Sequence, residues 1–160
     1  EIAYLGKELA RRFPAHGDSI LTRADRQRQL LQELAKKYRD TASSFPSRFV
    51  ILHYPLFKWM VEDSGFRVFT VLSPGPGEEP GPKKIHELVE VLETVPVSAI
   101  LTTSNSDRRM LDYFIGKSKL PLIELATGTS GFQSADALMK ILVDNLESLE
   151  KRLQQPDSAG

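Results

Sequence analysis

From Arg48 onward, short apolar runs alternate with amphipathic helical patterns, and that alternation leaves the chain few architectures to adopt. The runs at 48–52, 66–72, 98–102 and 120–125 are rich in Val and Ile, as strands buried on both faces are. Between and after them the spacing predicts helices over 56–64, 82–94, 106–117 and 134–153. Ile85, Leu88, Val89 and Leu92 make one apolar stripe; Leu138, Ile141, Leu142, Leu146, Leu149 and Leu153 make another. Crossovers of this length join parallel strands. The expected fold is α/β, a small four-stranded parallel sheet with helices on both faces.

A different pattern precedes Arg48. Ile2, Leu5, Leu9 and Phe13 share one helical face, which Pro14 ends. Gly17-Asp18-Ser19 offers N-cap chemistry for a longer helix with a stripe of Ile20, Ala24, Leu31, Leu34, Ala35 and Tyr38. Arg23, Arg26, Arg28, Lys36 and Lys37 lie between those positions as a solvated face. The expected organisation is N-terminal helices over 1–42, an α/β lobe over 43–153, and a polar tail over 154–160. The helical pattern begins at once with Glu1, which reads as a fragment or a processed form.

Composition narrows the function classes. The chain has 160 residues, enough for one domain with a real core. Its 21 Lys and Arg balance 21 Asp and Glu, which argues against a broad nucleic-acid or acidic-membrane surface. No apolar run reaches the roughly 20 residues of a membrane helix, so no stable insertion is expected from this segment. Cysteine is absent, which excludes disulfides and thiolate metal sites.

In open α/β sheets ligands gather at the carboxyl ends of the strands. The loops there are His53-Tyr54-Pro55, 73–81, 103–106 and 126–132. His53 follows the first strand directly, where an imidazole can ligate a metal or act as acid–base; its ordinary alternative is a partly buried ring bonded to nearby backbone. His16, in a turn, and His86, within a helix beside Lys84 and Glu87, read as surface residues. No His-x-x-x-His or His-Glu-x-x-His spacing exists, so no self-contained metalloenzyme motif is present. The loop Ala126-Thr127-Gly128-Thr129-Ser130-Gly131 is hydroxyl-rich but lacks the Gly-Lys-Ser/Thr ending of a phosphate loop and matches no nucleophile elbow. The Pro- and Gly-rich stretch 73–82 is a stiff entry to a helix, of a length that often has a contact role. Thr102 to Asp107 offers hydroxyls and a helix cap, and Arg108-Arg109 reads as helix surface.

Three segments, in order, carry a family resemblance over nearly the whole chain. Phe13-Pro14-Ala15-His16 and the long charged helix after it resemble a D-P turn and an inter-lobe helix. Leu52-His53-Tyr54-Pro55-Leu56-Phe57-Lys58-Trp59, running on to Ser64-Gly65-Phe66, resembles an S-H-D-A-F-x-Y-F…Y-G-L segment. Glu78-Glu79-Pro80-Gly81-Pro82-Lys83-Lys84-Ile85 resembles E-P-S-P-K-x-L, the most distinctive of the three. Together they resemble the C-terminal lobe of the zinc/manganese-type periplasmic solute-binding proteins of ABC transporters. The resemblance implies one lobe of a two-lobed, extracytoplasmic, non-enzymatic protein. It implies a metal cleft with two histidines from an N-terminal lobe, a third ligand at His53, and a carboxylate after the last strand. Histidine at that third position implies zinc, with manganese as the other metal of the family.

The chain departs from that pattern in three ways. The N-terminal lobe is missing from it. The expected carboxylate falls on Leu125-Ala126-Thr127, with alanine where aspartate belongs, so Glu124 stands in only if the strand end is shifted. The third strand ends Ile100-Leu101-Thr102-Thr103 without the family's acid. Zinc binding by this lobe alone is therefore expected to be weak or absent, and the implied partners are the missing lobe and the permease of an ABC transporter. The alternative is a paralogue that has lost the metal and uses the same edge for another ligand or a protein partner. An α/β enzyme would need a phosphate loop or an acid–base pair beside His53, and neither is present in the sequence.

Overall fold

A computed structural model describes residues 1–75, 78–103, 108–127 and 135–154. The chain divides into two compact units, Glu1–Tyr38 and Arg39–Gly160. The first holds helix α1 (Ile2–Arg12), a 3-10 turn (Pro14–His16) and most of helix α2 (Gly17–Ser43). Pro14 lacks the amide a continuing helix needs, so α1 stops and the chain turns at once. Gly6 lets the two helices approach closely, since a Cβ there would lie 2.6 Å from the Ala24 methyl. The expected N-cap is not used. Gly17 is already helical, and the Ser19 hydroxyl donates to the His16 carbonyl at 3.0 Å instead of accepting from an amide. Near the end of this unit Tyr38 is buried, which pushes its phenol up to about 12.

The second unit is the α/β body. Strands β1 (Phe49–Leu52), β2 (Arg67–Val71), β3 (Val97–Thr103) and β4 (Leu122–Leu125) form one sheet in the order β2-β1-β3-β4, every pair parallel. Helices α3 (Lys58–Asp63), α4 (Pro82–Leu92), α5 (Arg109–Ser118) and α6 (Ala135–Gln154) make the crossovers and the close of the chain. The fold class read from periodicity is the one observed.

Burial explains the composition of the strands. Val50, Ile51, Leu52, Ala99 and Ile100 have no exposed surface, so β1 and β3 are covered on both sides. On one face Ile51, Leu72 and Ile100 pack with Ile85 of α4 and with Leu111 and Phe114 of α5. Leu88, Val89 and Leu92 close over that cluster, so the predicted α4 stripe is its contact face. Leu146 and Leu149 of α6 are buried as well, whereas Leu138, first of its predicted stripe, stays 40% exposed.

Element ends differ from the expectations for local reasons. Pro55 opens a 3-10 turn (Pro55–Phe57) before α3 begins at Lys58. Strand β4 begins after Pro121, which has no amide to donate; its carbonyl still accepts from Ile100 at 2.9 Å. Gly65 holds φ +90° in the turn into β2, where its carbonyl accepts from Arg48. The predicted start of α5 at Ser106, the start of α6 at Ser134 and the tail beyond Gln154 lie outside the described residues.

Phe114 fills the centre of the α4–α5 face with no exposed surface. Phe114→Ala is expected to cost about 3–5 kcal/mol, read as a lower urea midpoint with an unchanged slope. The raised Tyr38 pKa sets a second expectation. Its contribution to stability is fully present below the unfolded tyrosine pKa of about 10. It is lost as pH rises through about 12, so absorbance at 295 nm should show one tyrosine ionising with alkaline unfolding.

Candidate metal edge of the sheet

The strand order places a switch point between β1 and β3. The chain leaves β1 toward β2 on one side, then returns past β1 to lay down β3 on the other. Crossovers diverge there and leave a crevice at the carboxyl ends of the two strands. His53 is the first residue beyond β1 and is held on both sides. Its amide donates to the Leu101 carbonyl at 2.8 Å, and its carbonyl accepts from the Ser73 amide at 2.9 Å. These bonds extend the sheet by one residue and fix where the imidazole starts.

The ring is fixed too. His53 is 1% exposed, its Nδ1 lies 2.9 Å from Thr102 Oγ1, and it stacks at 4.0 Å on the Tyr54 ring. Thr102 continues the β1–β3 register opposite His53 and is itself buried. Ligation through Nε2 requires Nδ1 to carry the proton and donate it to Thr102, the arrangement that outer hydrogen bonds impose on ligating histidines. A cavity of about 200 Å³ opens here, lined by His53, Tyr54, Glu79, Arg109 and Met110. Glu79 comes from the stretch between β2 and α4, and Arg109 and Met110 from the first turn of α5.

Glu124 occupies the same cross-strand row. Its partner in register is Thr102, so His53, Thr102 and Glu124 stand side by side on β1, β3 and β4. Two strand spacings separate the ends of that row, roughly 10 Å between backbones. The structure therefore aligns the two sequence-derived ligand candidates without bringing them together. Glu124 instead accepts a hydrogen bond from the Arg108 guanidinium, which also lies 3.5 Å from Asp112. Among the described residues no group of three His, Asp or Glu is placed to hold a metal ion.

Several residues at this edge had no role in the sequence reading. Thr102 was expected only as a capping hydroxyl, and Arg108-Arg109 as helix surface. Both arginines are exposed as expected; Arg108 in addition pairs with Glu124, and Arg109 borders the cavity. Asn145, 2% exposed on α6, holds the backbone of Ala126: its Oδ1 accepts from the Ala126 amide at 2.6 Å and its Nδ2 donates to the carbonyl at 3.0 Å. A polar residue amid the α6 leucines was the one signal for it in the sequence. Ser73 Oγ is fully buried and has no hydrogen-bond partner among the described residues. His16 and His86 are exposed as expected, His86 lying 3.3 Å from Glu90. The Ser104–Asp107 cap, the Gly128-Thr129-Ser130-Gly131 part of the hydroxyl-rich loop, and Pro76-Gly77 lie outside the described residues.

Valine at position 102 keeps the shape and removes the hydroxyl. Thr102→Val is expected to shift the His53 tautomer equilibrium, visible in ¹⁵N imidazole chemical shifts, while Thr102→Ser keeps the wild-type pattern. An unchanged spectrum in the valine variant would remove Thr102 from the site.

Known structures share this fold. No curated protein sequence matches the chain. Among solved structures it superposes on FpvC from Pseudomonas aeruginosa in complex with Mn²⁺ with a TM-score of 0.71 at 18% identity, covering 97% of this chain and 59% of that one. The laminin-binding protein Lmb of Streptococcus agalactiae, described as bifunctional with adhesin and metal transporting activity, gives 0.70 at 18%, covering 97% and 59%. A Zn(II)-bound variant of AdcAII from Streptococcus pneumoniae gives 0.70 at 19%, covering 93% and 56%. At these identities the likeness is one of fold, and the chain spans less than three fifths of each of these proteins. Among the described residues no helix is long and apolar enough to cross a membrane. Residues 2–152 match the model of the family described as ZnuA, zinc-uptake complex component A, periplasmic; the chain belongs to that family of solute-binding transport proteins.

Proposed function

We propose that this chain is the C-terminal lobe of an extracytoplasmic, zinc-type solute-binding protein that delivers metal to the permease of an ABC transporter, and that it is not an enzyme. The observation that carries the reading is His53, buried at the β1–β3 switch point with Nδ1 against Thr102. An imidazole so held presents Nε2 as the ligating atom, and imidazole donors suit zinc among the metals of this family. FpvC with Mn²⁺ and AdcAII with Zn(II) are metal-bound proteins of the same fold, which supports metal as the cargo. The partner of the His53 Nδ1 is the Thr102 hydroxyl.

A second lobe fits the N-terminal helices. Tyr4, Leu5, Leu9 and Phe13 are between 46% and 71% exposed, an apolar load that calls for a covering partner. The matched solved chains are longer by about two fifths of their length, enough for a second lobe. In this reading that lobe supplies two further histidines, and His53 completes a three-imidazole set. Glu124 serves only if it is released from Arg108.

Calorimetry tests the proposal. The 160-residue chain alone is expected to bind zinc more weakly than about 1 μM, since one histidine falls short of the about four donors of a tight zinc site. In the full-length protein with both lobes, zinc should bind tightly and His53→Ala should weaken it by at least about tenfold, in line with loss of one ligand. Absence of zinc-dependent heat there, or heat indifferent to His53→Ala, would sink the assignment.

A further inference from the structure

At the amino ends of the strands, opposite the His53 edge, two arginines border one groove. Arg48 immediately precedes β1 and Arg67 opens β2; the Arg67 amide donates to the Arg48 carbonyl at 2.8 Å. The groove has a volume of about 430 Å³ and is lined by both arginines with Ser47, Gly65 and three further uncharged residues. Elsewhere in the chain carboxylates meet arginines: Arg11 and Arg12 pair with Glu8, Arg28 with Asp25, and Arg108 with Glu124. Arg48 and Arg67 form no ion pair among the described residues. The acids nearest in sequence, Glu62 and Asp63 at the end of α3, do not line the groove.

The two guanidinium groups differ in how they are held. Arg48 donates through Nη1 to the Gly65 carbonyl at 3.2 Å and through Nη2 to Ser43 Oγ at 3.0 Å. Gly65 leaves room for it, since a Cβ there would lie 2.9 Å from Nη1. These bonds use two of its N–H groups, keep the others for a ligand, and fix the fork beside the groove. The Arg67 side chain is exposed and makes no hydrogen bond among the described residues. Ser47 Oγ accepts from the Phe49 amide at 3.1 Å, which leaves its O–H to donate.

We propose that this amino-edge groove binds a phosphate group, held by Arg48 and Arg67 with Ser47 as a further donor. Guanidinium forks match phosphate oxygens in pairs, and an anion shared by two cations turns their mutual repulsion into attraction. The phosphate arrives either on a small soluble compound or on the headgroup of an anionic phospholipid. In the second case the lobe rests on a bilayer by the end opposite its metal edge. A local site of this kind is compatible with a formal net charge of zero, because it needs two placed cations and no broad basic surface. It stands independently of the metal reading, since it lies at the other end of the strands.

Pyrophosphate and vesicles of phosphatidylglycerol are the probes, each added separately to the 160-residue chain at low ionic strength. Pyrophosphate should shift the ¹⁵N side-chain resonances of Arg48 and Arg67 and leave that of Arg23, an exposed arginine of α2, in place. Calorimetry should give a Kd of about 1 mM or tighter. Arg67→Ala should weaken binding at least about tenfold, the loss expected for one charge-assisted pair. It should do so without lowering the thermal midpoint in phosphate-free buffer, because that side chain holds no other group. Arg67→Lys should recover part of the affinity, since it keeps the charge but loses the fork. Arg23→Ala should change nothing. Co-sedimentation with the vesicles that pyrophosphate reverses would identify a lipid headgroup as the source; pyrophosphate binding without co-sedimentation would identify a soluble compound, and either supports the site. Unmoved Arg48 and Arg67 resonances, or equal losses in Arg67→Ala and Arg23→Ala, would overturn the inference.

Discussion

The register of β1 against β3 is the constraint from which the site follows. Both strands are buried on both faces, so neither can slide by one residue without turning its apolar side chains toward the wrong layer. That register sets Leu52 beside Leu101, and the next residue of each strand is then His53 beside Thr102. The core, in other words, decides which hydroxyl meets which imidazole. Because the chain also reverses its winding direction between these two strands, the pair so defined stands at the switch point of the sheet.

Charge at this edge is arranged in pairs and not pooled. Arg108 sits between Glu124 and Asp112, and Arg109, one residue on, faces a different space beside His53. Consecutive residues at the start of a helix point about 100° apart, so two adjacent arginines can serve two unrelated sites. The outcome is an edge in which His53, Glu79 and Arg109 border one cavity, while Glu124 is paired with Arg108.

The fold was legible because it rests on periodicity. Val, Ile and Leu runs of strand length and the Ile85, Leu88, Val89, Leu92 stripe each name a buried face by spacing alone. His53 was legible for a related reason, since a histidine that ends an apolar run must lie at a strand's carboxyl edge. The side chains around it were not. Thr102 looks like any capping hydroxyl until the register sets it opposite His53, and the spacing of Arg108-Arg109, exposed as it predicts, does not tell that one meets Glu124 and the other borders the His53 cavity. Glu124 shows the limit most clearly: chain position placed it near the site, whereas its direction depended on a guanidinium sixteen residues earlier.

Asn145 spends its whole side chain on main-chain atoms of Ala126, one bond to the amide and one to the carbonyl. That anchor is blind to what residue 126 is. The peptide leaving β4 therefore keeps its place whether its side chain is a methyl group or something longer, and natural variation can rewrite position 126 without redesigning the loop around it. Position 126, where the family resemblance led one to expect an acid, is a mount whose fitting can be exchanged with a single substitution.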